Sequence, residues 1–145
     1  MNSGSTVKLE RLSTDAKLPT KGTEDSAYSD LYVAVEAVLQ PGDTRPLSTG
    51  WLVEVPAGYF LDIRSRSGLS IKGIVIANAP GTVDADFRGE LMLIVANHSG
   101  GEYVVHIGDR LAQCALMPVV TTLFREVICL SSTARGRNGY GSTGR

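Results

Sequence analysis

Residues 135–145 concentrate four glycines, three arginines and one aromatic ring. Glycine at that density keeps the backbone mobile and able to approach a ligand closely. Arg135, Ser142, Thr143 and the free N–H groups around Gly141 suit phosphate oxygens, and the Tyr140 ring can cover a base. The segment therefore reads as a tail that closes over a nucleotide, against the plainer alternative of a disordered terminus.

Three internal segments carry further chemistry. Arg66, Ser67 and Gly68 offer a guanidinium, a hydroxyl and accessible backbone N–H groups directly after a strand-like run, which is a phosphate cradle or an ordinary turn. Between Gly81 and Gly89, Asp84 and Asp86 alternate, so an extended backbone would place both carboxylates on one face, fit for a general base or a divalent metal. Phe87 among those charges suggests a stacking partner. From Gly108 to Gln113, polar groups open an apolar strand; Asp109 and Arg110 read as structurally paired, and Gln113 as open to a ligand. His98 and His106 have no convergent partners, and the glycines near residue 140 lack the lysine and helix of a Walker loop.

The elements that must hold these groups are short strands. Val7 to Leu12 alternates, Leu31 to Leu39 fits a period of two, and runs from Trp51 to Val55 and Tyr59 to Ile63 flank a hairpin-like turn at Pro56–Gly58. Further strand-like runs occupy 73–77, 91–96, 102–107, 111–117 and 123–128, with a short helix possible over 67–72. Many short strands spaced by turns indicate an all-β fold, a jelly roll or distorted barrel with at most one short helix. The chain divides into one β domain over 1–134 and a flexible tail over 135–145.

Composition narrows the class. At 145 residues, with 43% apolar and 20% charged side chains, the chain supports a single core. A net charge of −1 argues against nucleic-acid binding by bulk electrostatics. No apolar run approaches a membrane span, and the N-terminus lacks a signal-peptide pattern. Cys114 and Cys129 match no metal spacing and read as reduced core thiols of a cytoplasmic protein.

In order along the chain, these segments resemble the five motifs of the homotrimeric dUTPase family: 27–31, 66–69, Asn78 with 81–89, 108–113 and 135–144. The resemblance implies a jelly-roll trimer with active sites shared between subunits, hydrolysing dUTP to dUMP and pyrophosphate with Mg²⁺, and so limiting uracil in DNA. It implies that Asp84 activates water for attack on the α-phosphorus and that Asp30 reaches Mg²⁺ through water. Arg66, Ser67, Gly68 and Gln113 would hold phosphate oxygens. Asn78 and the backbone from Gly81 to Val83 would read uracil in a narrow hairpin pocket with Met92 beside it, and Phe87 would pack under the deoxyribose. Tyr140 would stack on uracil while Arg135, Gly141, Ser142 and Thr143 grip the phosphates. The first motif departs from the pattern at Tyr28, where the family has glycine; a positive φ there would force the loop onto another path.

Three rival readings stand beside this one. A dCTP deaminase shares the fold and the Arg-Ser segment and uses a glutamate after the third motif; here Glu90 follows Gly89, but Asp84 holds the dUTPase position and the tail with Tyr140 also favours that family. The second rival is a nucleotide-binding relative without catalysis, and the third a generic jelly-roll module, for which only the fold-level pattern speaks.

Overall fold

In a computed structural model, which describes residues 5–142 and 144, eleven strands and one helical turn follow one another from Lys8 to Pro118. They are β1 (Lys8–Arg11), β2 (Thr20–Lys21), β3 (Ser29–Tyr32), β4 (Ala37–Leu39), β5 (Thr44–Glu54) and β6 (Tyr59–Ser65), then α1 (Ser67–Ser70), β7 (Ile74–Ile76), β8 (Gly81–Val83), β9 (Glu90–Asn97), β10 (Tyr103–Val105) and β11 (Arg110–Pro118). All pairing is antiparallel. One sheet runs β1-β5-β9-β7, the second β2-β3-β11-β6-β8, and β10 pairs with β4 in a small ribbon. The result is an antiparallel jelly-roll sandwich.

Alternation builds the core. On β9, Leu91, Leu93 and Val95 turn inward while Met92 and Ile94 stay partly exposed; on β6, Leu61 and Ile63 turn inward between Asp62 and Arg64. These side chains meet Leu31, Val33, Val53, Val105 and Leu111 between the sheets. Each fully buried aliphatic side chain contributes about 1.5–3 kcal/mol, which fixes the register of both sheets.

Several sequence expectations change here. The run from Leu31 to Leu39 is two strands, because the chain bends at Ala34–Val35 as it passes from the second sheet to the ribbon. The turn at Pro56–Gly58 exists, closed by Tyr59 N–H to Pro56 O at 3.2 Å with Gly58 at φ +81°. It is a corner between sheets and not a hairpin, since β5 pairs with β1 and β9 while β6 pairs with β11 and β8. Residues 123–128 are not a strand: strand-forming residues make no ladder without a neighbouring strand, and Leu123, Phe124 and Ile128 stand exposed. Cys114 is buried as expected, whereas Cys129 is exposed. The helix over 67–72 is realised as the single turn α1.

Candidate active site

Motif residues from distant parts of the sequence meet on the outer face of the second sheet. Gln113 on β11 lies directly opposite Asp30 on β3 and, on its other side, opposite Arg64 on β6. Directly opposed residues share a face, so these three form one row across the sheet. Arg66, just past the end of β6, places Nε 2.8 Å from Asp30 Oδ1 and donates Nη1–H to Arg110 O at 3.0 Å. Arg110 in turn donates from Nη1 to Asp30 Oδ2 at 3.4 Å. Gln113 donates its amide to Ser65 O at 2.9 Å, which orients the side chain along the sheet.

The cradle after β6 has a simple local cause. Arg66 is extended (φ −94°, ψ 133°) and caps α1, its carbonyl accepting from Leu69 N at 3.1 Å and Ser70 N at 2.9 Å. Ser67 and Gly68 are exposed at the start of that turn, where backbone N–H groups have no helical acceptor. Nothing lies within 4 Å of a Cβ built on Gly68, so no neighbour within the chain requires glycine there.

A second group surrounds a cavity of about 340 Å³. Asn78, Gly81, Val83, Asp84, Phe87 and Met92 line it, with Glu90 at its side. The link from β7 to β8 contains a cis Ala79–Pro80 peptide, and the Asn78 amide sits 3.2 Å from where a Gly81 Cβ would be. A Cβ added at Gly89 would fall 2.5 Å from the Phe87 ring, so a larger residue there would displace the ring from this position. The Phe87 ring thus lies over Gly89, with part of its surface open.

Two expectations about this segment need correction. Asp84 and Asp86 are not on an extended strand: Phe87 N–H donates to Asp84 O at 3.2 Å, closing a turn over 84–87. Only Asp84 faces the cavity; Asp86 does not line it. The pocket is also not a hairpin, since β8 pairs with β6 while β9 pairs with β5 and β7. Glu90 is held by the Ser48 hydroxyl and by Gly50 N–H at 3.3 Å.

The first-motif loop accommodates Tyr28 without strain. Among the described residues only Tyr140 is a non-glycine with positive φ, so the backbone at 28 suits any L-residue. The Tyr28 hydroxyl donates to Asp62 Oδ2 at 2.7 Å, and that carboxylate, with partial burial, holds the phenol above its usual pKa range. Arg64 Nε lies 2.7 Å from the same oxygen, and this hydrogen bond raises the guanidinium pKa further. This trio was not anticipated; the available signal was a carboxylate, Asp62, between the core residues Leu61 and Ile63.

Among the described residues, the chain's own fold does not bring the tail to either group. Arg135 Nε donates to Asn138 O at 2.9 Å, Ser142 N–H to Gly139 O at 3.1 Å, and the Tyr140 ring is fully exposed. Thr143 lies outside the described residues. Asp109 is structural as expected, accepting His106 N–H at 2.8 Å.

Among the described residues no three His, Cys, Asp or Glu side chains cluster as a metal cage. Asp30 is a single carboxylate, 14% exposed and flanked by two arginines. That donor set fits Mg²⁺ only when phosphate and water supply the remaining ligands, the usual manner of Mg²⁺ at triphosphate sites.

Comparison with known proteins now adds to this geometry. The dUTPase family pattern matches residues 14–144. A deoxyuridine 5'-triphosphate nucleotidohydrolase of Anaplasma marginale (strain St. Maries) is 43% identical over 143 residues, covering 95% of this chain and 97% of that one. The protein of the same description from Zymomonas mobilis is 41% identical over 141 residues, covering 95% and 97%. A Staphylococcus bacteriophage 80alpha dUTPase with dUPNHPP superposes with a TM-score of 0.87 at 27% identity, covering 97% of this chain and 99% of that one. A mutant dUTPase from phage phi11 of S. aureus, whose structure reveals the coordination of a structural Mg(II) ion, superposes with a TM-score of 0.78 at 27% identity over 88% of this chain and 99% of that one.

Proposed function

This chain belongs to the dUTPase family and hydrolyses dUTP to dUMP and pyrophosphate, and from that premise we propose how its residues divide the work. The observation that carries the reading is the row Asp30–Gln113 with Arg66 at its end, a place for phosphates, set apart from a cavity whose rim bears the uncommitted carboxylate of Asp84.

In this reading the uracil enters the cavity between Asn78 and the backbone of Gly81–Val83. A thymine methyl would collide with the wall, and cytosine would present a donor where uracil offers an acceptor. Each lost buried hydrogen bond costs about 1–3 kcal/mol, so several together discriminate strongly. Phe87 packs against the sugar, with Gly89 giving its ring room, and Met92 closes the far side. Asp84 Oδ takes a proton from water, whose oxygen attacks the α-phosphorus; the bond to the bridging oxygen breaks and pyrophosphate leaves. General-base help of this kind supplies about 10²–10⁴-fold.

Arg66, Gln113, the Ser67 hydroxyl and the N–H groups of Ser67 and Gly68 hold phosphate oxygens. Asp30 would hold Mg²⁺ through water, and the bound ion would supply charge neutralisation at the triphosphate. The tail from Arg135 closes over the nucleotide, stacking Tyr140 on uracil and bringing Gly141, Ser142 and Thr143 to the phosphates, which excludes water.

We read the working unit as a homotrimer of β domains over 1–134, with sites shared between subunits. Supporting this, Asp30, Arg66 and Gln113 lie on the outer face of one sheet, and none of them lines the cavity beside Asp84. In addition, Val120, Leu123, Phe124, Ile128 and Leu130 leave the fold with their side chains exposed, a run that asks for a protein surface. We read the enzyme as cytoplasmic, in keeping with a substrate drawn from the nucleotide pool.

The test is pyrophosphate release from dUTP, dTTP, dCTP and UTP at equal concentration, with Mg²⁺ and with chelator. Selective, Mg²⁺-dependent turnover of dUTP supports the assignment. Ammonia release from dCTP would favour a deaminase instead, and a rate undiminished by chelator would remove the role given to Asp30.

A further inference from the structure

One guanidinium on the outer sheet face has no place in the division of labour above. Arg64 stands in the row Asp30–Gln113–Arg64, with neighbouring Cβ atoms about 5 Å apart. In the adjacent row, Asp62 lies opposite Ala115, whose small side chain leaves the Tyr28 ring room to reach across. Asp62 is only 3% exposed and accepts at Oδ2 from Tyr28 Oη and from Arg64 Nε, both at 2.7 Å. The Arg64 guanidinium also rests 5.3 Å from the centre of the Tyr28 ring.

The consequence is a cation held by its inner edge alone. Among the described residues, neither Nη1 nor Nη2 of Arg64 makes a hydrogen bond, and the side chain is 53% exposed. Arg66 differs, since its Nε and Nη1 are both engaged within the chain. Burying a carboxylate is costly unless it is paired and hydrogen-bonded. Here Asp62 is satisfied by a phenol and a guanidinium, and the outcome is an outward, immobilised pair of N–H₂ groups. Such a fork matches two oxyanion atoms and loses little entropy on binding them.

Resting on the reading of Asp30, Arg66 and Gln113 as the phosphate end, we infer that Arg64 is an additional phosphate-binding residue. It engages the pyrophosphate portion of the substrate, and Asp62 and Tyr28 are its positioning residues. The residue thereby favours nucleoside triphosphate over monophosphate, strengthening capture of substrate without holding the product.

The experiment is a binding comparison on the full chain, using a non-hydrolysable α,β-imido analogue of dUTP with Mg²⁺ and, separately, dUMP. Arg64→Gln should weaken the triphosphate analogue by about tenfold, the scale of a charge-assisted hydrogen bond, and leave dUMP unchanged. Tyr28→Phe, which removes one hydroxyl, should weaken it about threefold in the same selective manner. Equal loss for both ligands, or no loss for either, overturns the proposal and leaves the trio as scaffold. Arg66→Gln is the control: if it weakens the analogue while Arg64→Gln does not, only the role of Arg64 fails. If Arg66→Gln has no effect, the phosphate end itself is misplaced. Should Arg64→Gln not fold, Arg64→Lys, which keeps charge but loses the fork, is compared with the parent by pyrophosphate competition. Weaker competition supports the inference and unchanged competition overturns it.

Discussion

Arg66 Nε lies 2.8 Å from Asp30 Oδ1, joining the end of β6 to β3 over the intervening strand β11. Both side chains are partly shielded, at 28% and 14% exposure, and Arg110 approaches the second oxygen of the same carboxylate at 3.4 Å. Two cations around one carboxylate leave a net positive charge where a triphosphate would sit.

Removing that pairing should separate stability from function. Arg66→Ala leaves Asp30 with Arg110, so the loss of stability should be about 1–2 kcal/mol, between an exposed and a buried pair. Loss of a cation aimed at the phosphates should lower kcat/KM by about 10²-fold. Urea melts beside steady-state kinetics on dUTP test this; a large stability loss with little kinetic effect would assign the pair to the scaffold.

Asp84→Asn keeps the shape of the cavity rim and removes its proton acceptor. Turnover should fall by about 10²–10⁴-fold. Affinity for the imido analogue should stay within a few-fold of the parent, by calorimetry. Retained turnover would move the base elsewhere, Glu90 being the other carboxylate that lines the cavity.

Phe87→Ala should open the space beneath the sugar and admit a 2′-hydroxyl. The ring leans on Gly89 and does not belong to the buried core, so folding should be nearly undisturbed. The expected outcome is a fall of roughly tenfold in preference for dUTP over UTP, the scale of lost packing in a pocket. An unaltered ratio of kcat/KM values would mean that the sugar is read by another group.

Deleting 135–145 should leave melting unchanged, since the described part of the segment makes only local turns. Turnover should nevertheless fall strongly, because closure and phosphate contacts go together. Full activity of the truncated chain would end the closure idea, and a lower melting temperature would show that the segment stabilises the fold.

Cys114 gives a pH prediction. Burial first, and the nearby Asp30 charge second, push its thiol from the ordinary 9.0 up to about 12. Between those values the unfolded chain releases the proton that the folded chain keeps. Stability is therefore full below pH 9 and falls above it by up to about 1.4 kcal/mol per pH unit. Urea denaturation from pH 7 to 11 should show a steeper decline in the parent than in Cys114→Ala, and matching slopes would refute the thiol's part.

By itself, the sequence determined the fold class and the inventory of chemistry. Short apolar runs bounded by turn residues, such as Tyr59–Ile63 and Leu91–Ala96, read as strands, and Arg66–Ser67–Gly68 supplies residue types that suit an anion or an ordinary turn. What it could not determine was which runs find partners. Leu123–Ile128 is as rich in strand-forming residues as many of the strands, yet no strand lies beside it; Pro56–Gly58 turns the chain into the opposite sheet because the core residues of β5 and β6 face each other. Tertiary structure alone separated Asp84 from Asp86, since a turn and not a strand spans them. It also brought Tyr28, Asp62 and Arg64 together and set Asp30 against Arg66. Such pairings depend on strand order and register, which arise from burial across the whole sandwich and leave no mark in local spacing.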